Sequence, residues 1–460
     1  MRLNKVLFKS ILFLTIYSIF CYGQLRSPFT RIADVPYNVS DQSNSLYQFS
    51  MYLAGGCGSD QYCLATDPSC FCTDILSKFC RYDLINNRFD VISNELPRAR
   101  YRHTGDVINF PEGPGLAVLG GRNKSDHIIE EIDVYLIQTN QWVVKGIWDG
   151  ATSGHGSVIY KNQIYVVGGE YQDYVLDPNV RVYDPITTIM SVYDVFQYPR
   201  FNVAVVYLPP SFMYIIGGRA ENQSNFASCD TSRRTDFYDI SQKIWIQMED
   251  MSDDRAGAGA GRLGDELFAI GGEQYQVCNG STNNPDQIIT DFIVDPVDQI
   301  EKYDTVFNFW EDEDDDLPAD LFRFKVVSLP QGLGLGLSTL GGMYIFGGQG
   351  NFVVVNEETG DGYYPIKNHS YRYIPSSVTD GDRFTTAEIT GIILSVVIVA
   401  SLIILMPYIV SYMIKVDNRI DGDGTSQKNT LSDGNTNEAT SVLHPDHTRN
   451  SCAPYTDEKF

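Results

Sequence analysis

The chain has 460 residues, enough for one large core with appendages. Its 58 acidic and 34 basic residues give a formal net charge of -24, and Lys and Arg are not clustered. Phosphate binding needs clustered Lys and Arg, so the composition excludes a nucleic-acid-binding role.

Residues 1–23 are predicted to form a secretory signal peptide. Basic residues precede an apolar core over residues 11–20, and Cys21 and Gly23 lie just before the expected cleavage point. An apolar core this short does not span a bilayer, which weakens the alternative of an uncleaved anchor. We expect the mature chain to begin at Gln24.

Six glycine pairs divide most of the remaining chain into units. Each pair ends an alternating apolar run, and a turn-rich loop and a second run follow, which predicts strand, loop and strand. The pairs are Gly55 with Gly56, Gly120 with Gly121, Gly168 with Gly169, Gly217 with Gly218, Gly271 with Gly272, and Gly347 with Gly348.

Five units also contain a tyrosine followed seven residues later by another large side chain. These are Tyr82 with Phe89, Tyr135 with Trp142, Tyr183 with Met190, Tyr238 with Trp245, and Tyr303 with Trp310. The spacing of seven is constant, whereas the distance from the glycine pair to the tyrosine varies. We therefore expect insertions between the second and third strands of a unit.

These repeats resemble the kelch repeat, whose units are four-stranded blades of a β-propeller. The alternative is an unrelated all-β sandwich with chance glycines, and six pairs with a shared aromatic spacing disfavour it. Glycine permits unusual backbone conformations where inner strands end, and large aromatics fill the wedge between blades. The resemblance implies an all-β fold, a six-bladed kelch β-propeller over residues 24–377.

Residues 29–36 precede the first glycine pair and have no blade of their own. Phe29, Ile32 and Val35 repeat the spacing of outer-strand residues in other units, and the sixth unit has one strand too few. We predict that residues 29–36 form the outermost strand of blade six. Backbone hydrogen bonds between the chain ends would then close the ring.

Five of the nine cysteines lie close together, at Cys57, Cys63, Cys70, Cys72 and Cys80. This density indicates an oxidising compartment. Zinc binding is disfavoured because no CxxC pair and no neighbouring histidine occurs. We predict two disulfides within residues 57–80 with one cysteine left over, the pairing being open. Cys229 and Cys278 follow glycine pairs in consecutive units, and we predict a disulfide between them that bridges blades four and five.

The predicted innermost strands share polar residues. Four open with an arginine, at Arg100, Arg200, Arg255 and Arg323, and two contain a histidine, His103 and His155. These histidines could serve metal or acid–base chemistry. Packing or hydrogen bonding is the preferred interpretation, because the two occupy equivalent positions in adjacent units.

Residues 389–414 are uncharged, mostly apolar and long enough to span a bilayer. Lys415 and Arg419 follow them, which predicts a cytoplasmic C-terminus. Residues 378–388 would form a juxtamembrane linker, and the polar residues 415–460 a disordered cytoplasmic tail. The sequence thus predicts a single-pass type I protein of the secretory pathway, at the plasma membrane.

Five N-x-S triplets precede the predicted span and none follows it, consistent with that topology. The candidate glycosylation sites are Asn38, Asn123, Asn222, Asn279 and Asn368.

Membrane display, a short tail and loops of uneven length favour a surface protein whose propeller binds an extracellular protein or glycan. We expect no enzymatic activity, cofactor or metal. A kelch ectodomain with one span is similar to attractin-like membrane proteins, which contain further extracellular modules. An intracellular kelch adaptor does not fit the predicted signal peptide, cysteines and span.

The alternative function is that of a copper radical oxidase of the galactose oxidase type, which also uses kelch-type blades. That resemblance implies a copper site of two histidines, two tyrosines and a cysteine crosslinked to one tyrosine. The region before the predicted span has only four histidines, and we identify no convergent copper set. They are His103, His127, His155 and His369.

The binding surface is expected where the connections between second and third strands emerge. Long loops on a rigid scaffold often carry binding, although such insertions also cost little stability. The sequence favours a face centred on residues 57–79, 219–236 and 273–300.

Overall fold

The computed structural model describes residues 27–63, 72–220, 231–275, 294–330, 340–356 and 361–376. Within these ranges, no helix has the length and apolarity needed to cross a bilayer. The predicted signal peptide, membrane span and cytoplasmic tail lie outside the described residues, and so does the linker over residues 378–388.

The regular secondary structure of the described chain is almost entirely short strands, as the alternating apolar runs predict. In chain order they are β1 (Phe29–Arg31), β2 (Ser43–Tyr47), β3 (Ser50–Ala54), β4 (Gln61–Cys63), β5 (Phe79–Asp83), β6 (Arg88–Val91), β7 (Thr104–Phe110), β8 (Gly113–Leu119), β9 (Glu131–Leu136), β10 (Gln141–Ile147), β11 (Gly156–Tyr160), β12 (Gln163–Val167), β13 (Asn179–Asp184), β14 (Ile189–Val195) and β15 (Arg200–Phe201). They continue with β16 (Ala204–Leu208), β17 (Phe212–Ile216), β18 (Arg219–Ala220), β19 (Thr235–Asp239), β20 (Ile244–Gln247), β21 (Gly259–Leu263), β22 (Glu266–Tyr275), β23 (Val294–Asp304), β24 (Phe309–Asp312), β25 (Lys325–Leu329), β26 (Gly342–Phe346), β27 (Val353–Asn356), β28 (Asp361–Tyr364) and β29 (Ser370–Tyr373).

Six four-stranded antiparallel sheets form the blades, which confirms the predicted six-bladed propeller. Blade one has the order β2-β3-β5-β6, blade two β7-β8-β9-β10, blade three β11-β12-β13-β14, blade four β16-β17-β19-β20, blade five β21-β22-β23-β24 and blade six β25-β26-β29-β1. The first strands neighbour one another in a closed cycle from β2 through β7, β11, β16, β21 and β25 back to β2.

The spacing of seven reflects direct pairing across the outer two strands of a blade. Tyr135 in β9 lies opposite Trp142 in β10, and the other four predicted pairs are likewise opposite each other. A hairpin of fixed length must therefore join the third and fourth strands in all five blades. Most insertions lie in the connection between second and third strands, which contains β4, β18, β27 and β28, and blade six has one more between its first and second strands, β25 and β26.

The N-terminal strand closes the ring as predicted. β1 pairs with β29, and Phe29 lies opposite Tyr373. Their rings stack at 4.6 Å with an interplanar angle of 16°, so Phe29 takes the place that Trp142 has in blade two. Pairing continues past β1, because Val35 N–H donates to the Asn368 carbonyl at 2.9 Å.

The described chain has seven apolar clusters, one at each of the six interfaces between neighbouring blades and a small one around Cys57 and Cys72. At the interface of blades two and three, fully buried Ile164 and Tyr183 pack against Ile132 and Trp148. Burying each such large side chain contributes roughly 1.5–3 kcal/mol before chain entropy is counted. Packing between blades therefore supplies most of the apolar core.

The ring has two faces with different connections, because strands alternate in direction across each blade. The loop face carries the connections between second and third strands and the links from one blade to the next. The turn face carries the two hairpins of each blade. Two small sheets, β27-β28-β4 and β15-β18, lie among the loop-face connections.

Candidate functional site

A closed ring of backbone hydrogen bonds surrounds the propeller axis where the six first strands begin. One residue per blade contributes: Asp41, Arg102, Gly154, Asn202, Gly257 and Arg323. Each N–H donates to the carbonyl of the equivalent residue in the preceding blade, at 2.7–3.0 Å, and Asp41 closes the ring by donating to Arg323. We call these six residues the axial ring.

All six residues of the axial ring have left-handed backbone conformations, with φ between 51° and 68°. Four of them are not glycine, and holding a non-glycine residue in this region costs on the order of 1 kcal/mol or more. The hydrogen bonds and packing of the ring must therefore enforce the conformation. Asp41, Arg102, Asn202 and Arg323 together line a cavity of about 30 Å³ at the loop-face end of the axis.

Ion pairs surround the axial ring. Glu170, which follows the glycine pair of blade three, lies 3.3 Å from Arg122 and 4.0 Å from Arg102. Glu273, in the equivalent position of blade five, pairs with Arg219 and lies 3.3 Å from Arg323. Removing such groups from water offsets most of their attraction, so these pairs are weak sources of stability. They fix the arrangement of charges at the loop-face end of the propeller axis.

A second cavity of about 170 Å³ lies along the first strands. Lys325 and Asp106 line it, and Ser157 donates a hydrogen bond of 2.6 Å to Asp106. Burial lowers the pKa of Lys325 and raises the pKa of Asp106 to about 6. Among the described residues, no carboxylate oxygen lies within 4.0 Å of the Lys325 ammonium. The channel therefore holds polar groups and has room for several water molecules.

The buried histidines have hydrogen-bonding roles, in agreement with the preferred interpretation. His103 Nε2 lies 3.0 Å from the Ala54 carbonyl oxygen, and both nitrogens of His155 contact threonine hydroxyls. Burial holds the pKa of His103 well below its usual range and lowers that of His155 to about 3, so both are neutral.

The other two histidines of the hypothetical copper set lie apart from the axis, on loop-face connections. The His127 backbone N–H donates to Asn123, and the His369 ring contacts Tyr371 edge-on. The described ranges contain no group of three His, Cys, Asp or Glu residues placed to hold a metal ion.

The prediction that Arg323 is equivalent to the other three strand-opening arginines was wrong. Arg100, Arg200 and Arg255 are equivalent and fully buried, and each pairs with a carboxylate of the third strand of its own blade. Arg323 lies two residues later in its unit and belongs to the axial ring, while Leu321 occupies the place of the buried arginine.

The short loops of blades two and three interlock into an exposed polar and aromatic patch. Arg122 lies 4.5 Å from the ring centroid of Tyr174, whose hydroxyl donates to Asp126. Gln172 donates to the Asp126 carbonyl at 2.9 Å and accepts from the Ile128 N–H at 2.7 Å. Tyr174 remains 52% exposed. We call residues 122–128 and 170–176 the Tyr174 patch.

The loops of blades six and one are joined by β-pairing and by packing. β28 pairs with β4, and the Ile366 N–H donates to Asp60 at 2.9 Å. A disulfide links Cys57 to Cys72, with Cα atoms 5.8 Å apart. Cys80 is free and buried, which agrees with one cysteine being left over. The second predicted disulfide stays a prediction, because the side chains of Cys63 and Cys70 lie outside the described residues.

The remaining predicted sites are only partly described. Asn38, Asn123 and Asn368 lie on loop-face connections. Cys229, Cys278, Asn222 and Asn279 lie outside the described residues, as do large parts of the favoured binding segments. The sequence analysis missed the axial ring and the Tyr174 patch. The short loops of blades two and three were not predicted to form part of the binding surface. Their Tyr, Gln and Asp residues could have indicated one.

The repeated blades, the glycine pairs and the Tyr–Trp pairs define a kelch-type β-propeller. The chain belongs to the Attractin/LZTR1 β-propeller family, whose family model matches residues 24–281. None of the curated proteins compared with the chain matches it. Many solved structures share the fold. The structure of YjhT is 15% identical, with a TM-score of 0.53, and the match covers 72% of this chain and 95% of that one.

Proposed function

We propose that this propeller binds an extracellular protein or glycan through its loop face, as a single-pass type I membrane protein of the plasma membrane that catalyses no reaction. The observation that carries the proposal is the Tyr174 patch. Its exposed tyrosine is held by Arg122 and Asp126, so little conformational freedom remains to be lost on binding.

The composition of the patch suits recognition of a polar partner. Tyrosine is enriched at the energetic centres of protein interfaces, and buried Arg122 supports the exposed ring of Tyr174. The amide of Gln172 and the carboxylate of Asp173 can bond peptide groups or sugar hydroxyls, and both side chains are exposed. The largely buried ion pairs of Glu170 with Arg122 and Arg102 connect the base of this patch to the axial ring.

The exit of the chain from the propeller supports this choice of face. β29 runs from the loop face to the turn face and ends at Tyr373. Three residues further on, the N–H and the hydroxyl of Ser376 each donate to Asp315, in the link between blades five and six, at 2.8 Å. The predicted span begins at residue 389. A tether that starts on the turn face leaves the loop face accessible to an extracellular partner.

Protease treatment of intact cells tests the membrane topology. The full chain with a C-terminal epitope tag should keep that tag while the propeller is digested, and its mobility should shift on removal of N-glycans. Loss of the tag from sealed cells would contradict the type I orientation.

Binding is tested on cells that display the full chain, with glycan arrays and secreted-protein libraries as probes. For any ligand found, Tyr174→Ala should weaken binding by roughly 30-fold, the effect of losing a residue at the energetic centre of an interface. Val192→Ala, at a similarly exposed site on β14, should change it less than about twofold. Unchanged binding to the Tyr174 variant would contradict the proposed site.

A further inference from the structure

In the described chain, apolar residues alternate with polar ones at one equivalent position on the turn face. The third residue after the repeated tyrosine lies in the hairpin between third and fourth strands. In blade six, where Tyr373 is the equivalent tyrosine, it lies just after β29. In order from blade one to blade six it is Ile85, Gln138, Ile186, Ser241, Val306 and Ser376. Apolar residues thus occupy alternate blades, about 120° apart round the axis.

The three apolar tips are strongly exposed. Ile85 is 60% exposed, Ile186 67% and Val306 78%, and the adjacent Phe307 is 75% exposed. An isolated exposed apolar residue needs no explanation. Three equivalent hairpins that each present one, on a single face of a rigid ring, form a regular arrangement.

Each apolar hairpin is braced by the aspartate that follows its tyrosine. Asp83 Oδ1 accepts from the Ile85 N–H at 3.0 Å, and Asp184 Oδ1 accepts from the Ile186 N–H at 2.7 Å. Asp304 Oδ1 accepts from the Val306 and Phe307 N–H groups at 2.8 and 2.9 Å. These turns are therefore ordered before any contact is made, and their tips gain little by folding back onto the propeller.

We infer that the turn face lies against a lipid bilayer, with Ile85, Ile186, Val306 and Phe307 inserted into its interfacial layer. This inference rests on the proposed function, because it needs the predicted span. The last strand of the propeller, β29, ends on this same face at Tyr373. The 12 residues 377–388 that lead to the predicted span reach at most about 40 Å. A tether this short keeps the propeller at a high effective concentration near the membrane, so weak insertion suffices.

Two further observations favour a lipid surface over a protein partner. The described candidate glycosylation sites Asn38, Asn123 and Asn368 lie on the opposite face. The polar hairpins of blades two and four separate the apolar tips of blades one, three and five, whereas a protein interface has a continuous apolar centre. A fluid interfacial layer accepts separate tips. The acidic side chains that brace the turns disfavour anionic headgroups, so the expected lipid is zwitterionic.

Photocrosslinking of the full chain in phosphatidylcholine proteoliposomes tests this contact. Phe49→p-benzoylphenylalanine places a reporter on the turn face, and Asp173→p-benzoylphenylalanine places one on the loop face. We expect at least about fivefold more lipid adduct at position 49. Equal yields at the two positions, or adducts with protein in place of lipid at position 49, would overturn the inference.

Serine substitutions then test the tips themselves. With the reporter at position 49, the variant I85S/I186S/V306S/F307S should lower the lipid adduct several-fold, and F307S alone should lower it measurably. The matched control V192S/V195S removes two comparably exposed side chains from the outer strand β14 and should leave the yield unchanged. An unchanged yield in the tip variants, with thermal stability retained, would contradict the inference.

Alkaline extraction of the same proteoliposomes separates two kinds of failure. Release of the wild-type chain would contradict the predicted span, and with it the proposed function. A chain that stays in the membrane without lipid adducts at position 49 would contradict only the contact of the turn face.

Discussion

Replacing Gly347 by alanine should destabilise the propeller much more than replacing Gly264. Both glycines have left-handed backbones, with φ of +66° and +62°. A Cβ on Gly347 would lie 2.2 Å from the carbonyl oxygen of Val39, whereas a Cβ on Gly264 would have no atom within 4 Å. The comparison therefore isolates the close approach of blade six to the N-terminal segment.

The expected magnitudes follow from these contacts. Alanine in a left-handed conformation costs about 1 kcal/mol at either site. At position 347 the Val39 carbonyl must also move, although it accepts from the Gly348 N–H at 2.8 Å. The lost hydrogen bond and the strain bring the expected total to about 3–5 kcal/mol. For roughly 350 folded residues the unfolding entropy is about 0.7 kcal/mol/K, so the midpoint should fall by about 4–7 °C, against about 1.5 °C for Gly264→Ala.

Near-UV circular dichroism of the full chain in detergent measures these midpoints, at one scan rate because large domains can unfold irreversibly. Limited proteolysis provides a local readout, since Gly347→Ala should expose residues 27–40 to cleavage before the rest of the propeller. If Gly347→Ala lowers the midpoint no more than Gly264→Ala does, the described closure between blade six and Val39 is wrong.

Three further predictions concern the ring, the thiols and the channel. Phe29→Ala removes the stack on Tyr373 and should destabilise the protein by about 2 kcal/mol in urea unfolding, whereas exposed Thr30→Ala should change stability by less than about 0.5 kcal/mol. Burial raises the pKa of Cys80 to about 12, so iodoacetamide at pH 8 should label this thiol only after unfolding, and labelling of the native protein would contradict its burial. The raised pKa of Asp106, about 6, means that the folded state binds more protons than the unfolded state between about pH 4 and 6. This carboxyl therefore lowers stability progressively as pH rises through that window, by about 2 kcal/mol in all, and Asp106→Asn should remove that part of the pH dependence.

The repeats predicted the fold because each marker has a local physical cause. The interval from Tyr82 to Phe89 is set by one hairpin, so an insertion elsewhere does not change it. Phe29 was identified as an outer-strand residue through the same pattern, and its pairing with Tyr373 follows from the sixth blade lacking a fourth strand.

The axial ring could not be predicted in the same way. Its members share a backbone conformation and a hydrogen bond, but their side chains include an aspartate, an asparagine, two arginines and two glycines. Aligning units by residue type placed Arg323 with the buried arginines, two positions away from its true equivalents. The pairing of β4 with β28 could not be predicted from the sequence either, because the two segments are about 300 residues apart and share no motif.

Two sets of backbone hydrogen bonds connect each blade to the next. In addition to the axial ring, the N–H of the second glycine of each pair donates to a carbonyl of the following blade, and Gly348 completes the circuit by donating to Val39. The axial ring uses no atom from a connection between second and third strands, and the second set uses only the glycine N–H next to the end of the second strand. Those connections can therefore lengthen in blades one, four, five and six without loosening the frame. This independence explains how one face can hold both a disulfide-linked loop and the compact Tyr174 patch on the same rigid ring, and why loop length alone is a poor guide to the binding surface.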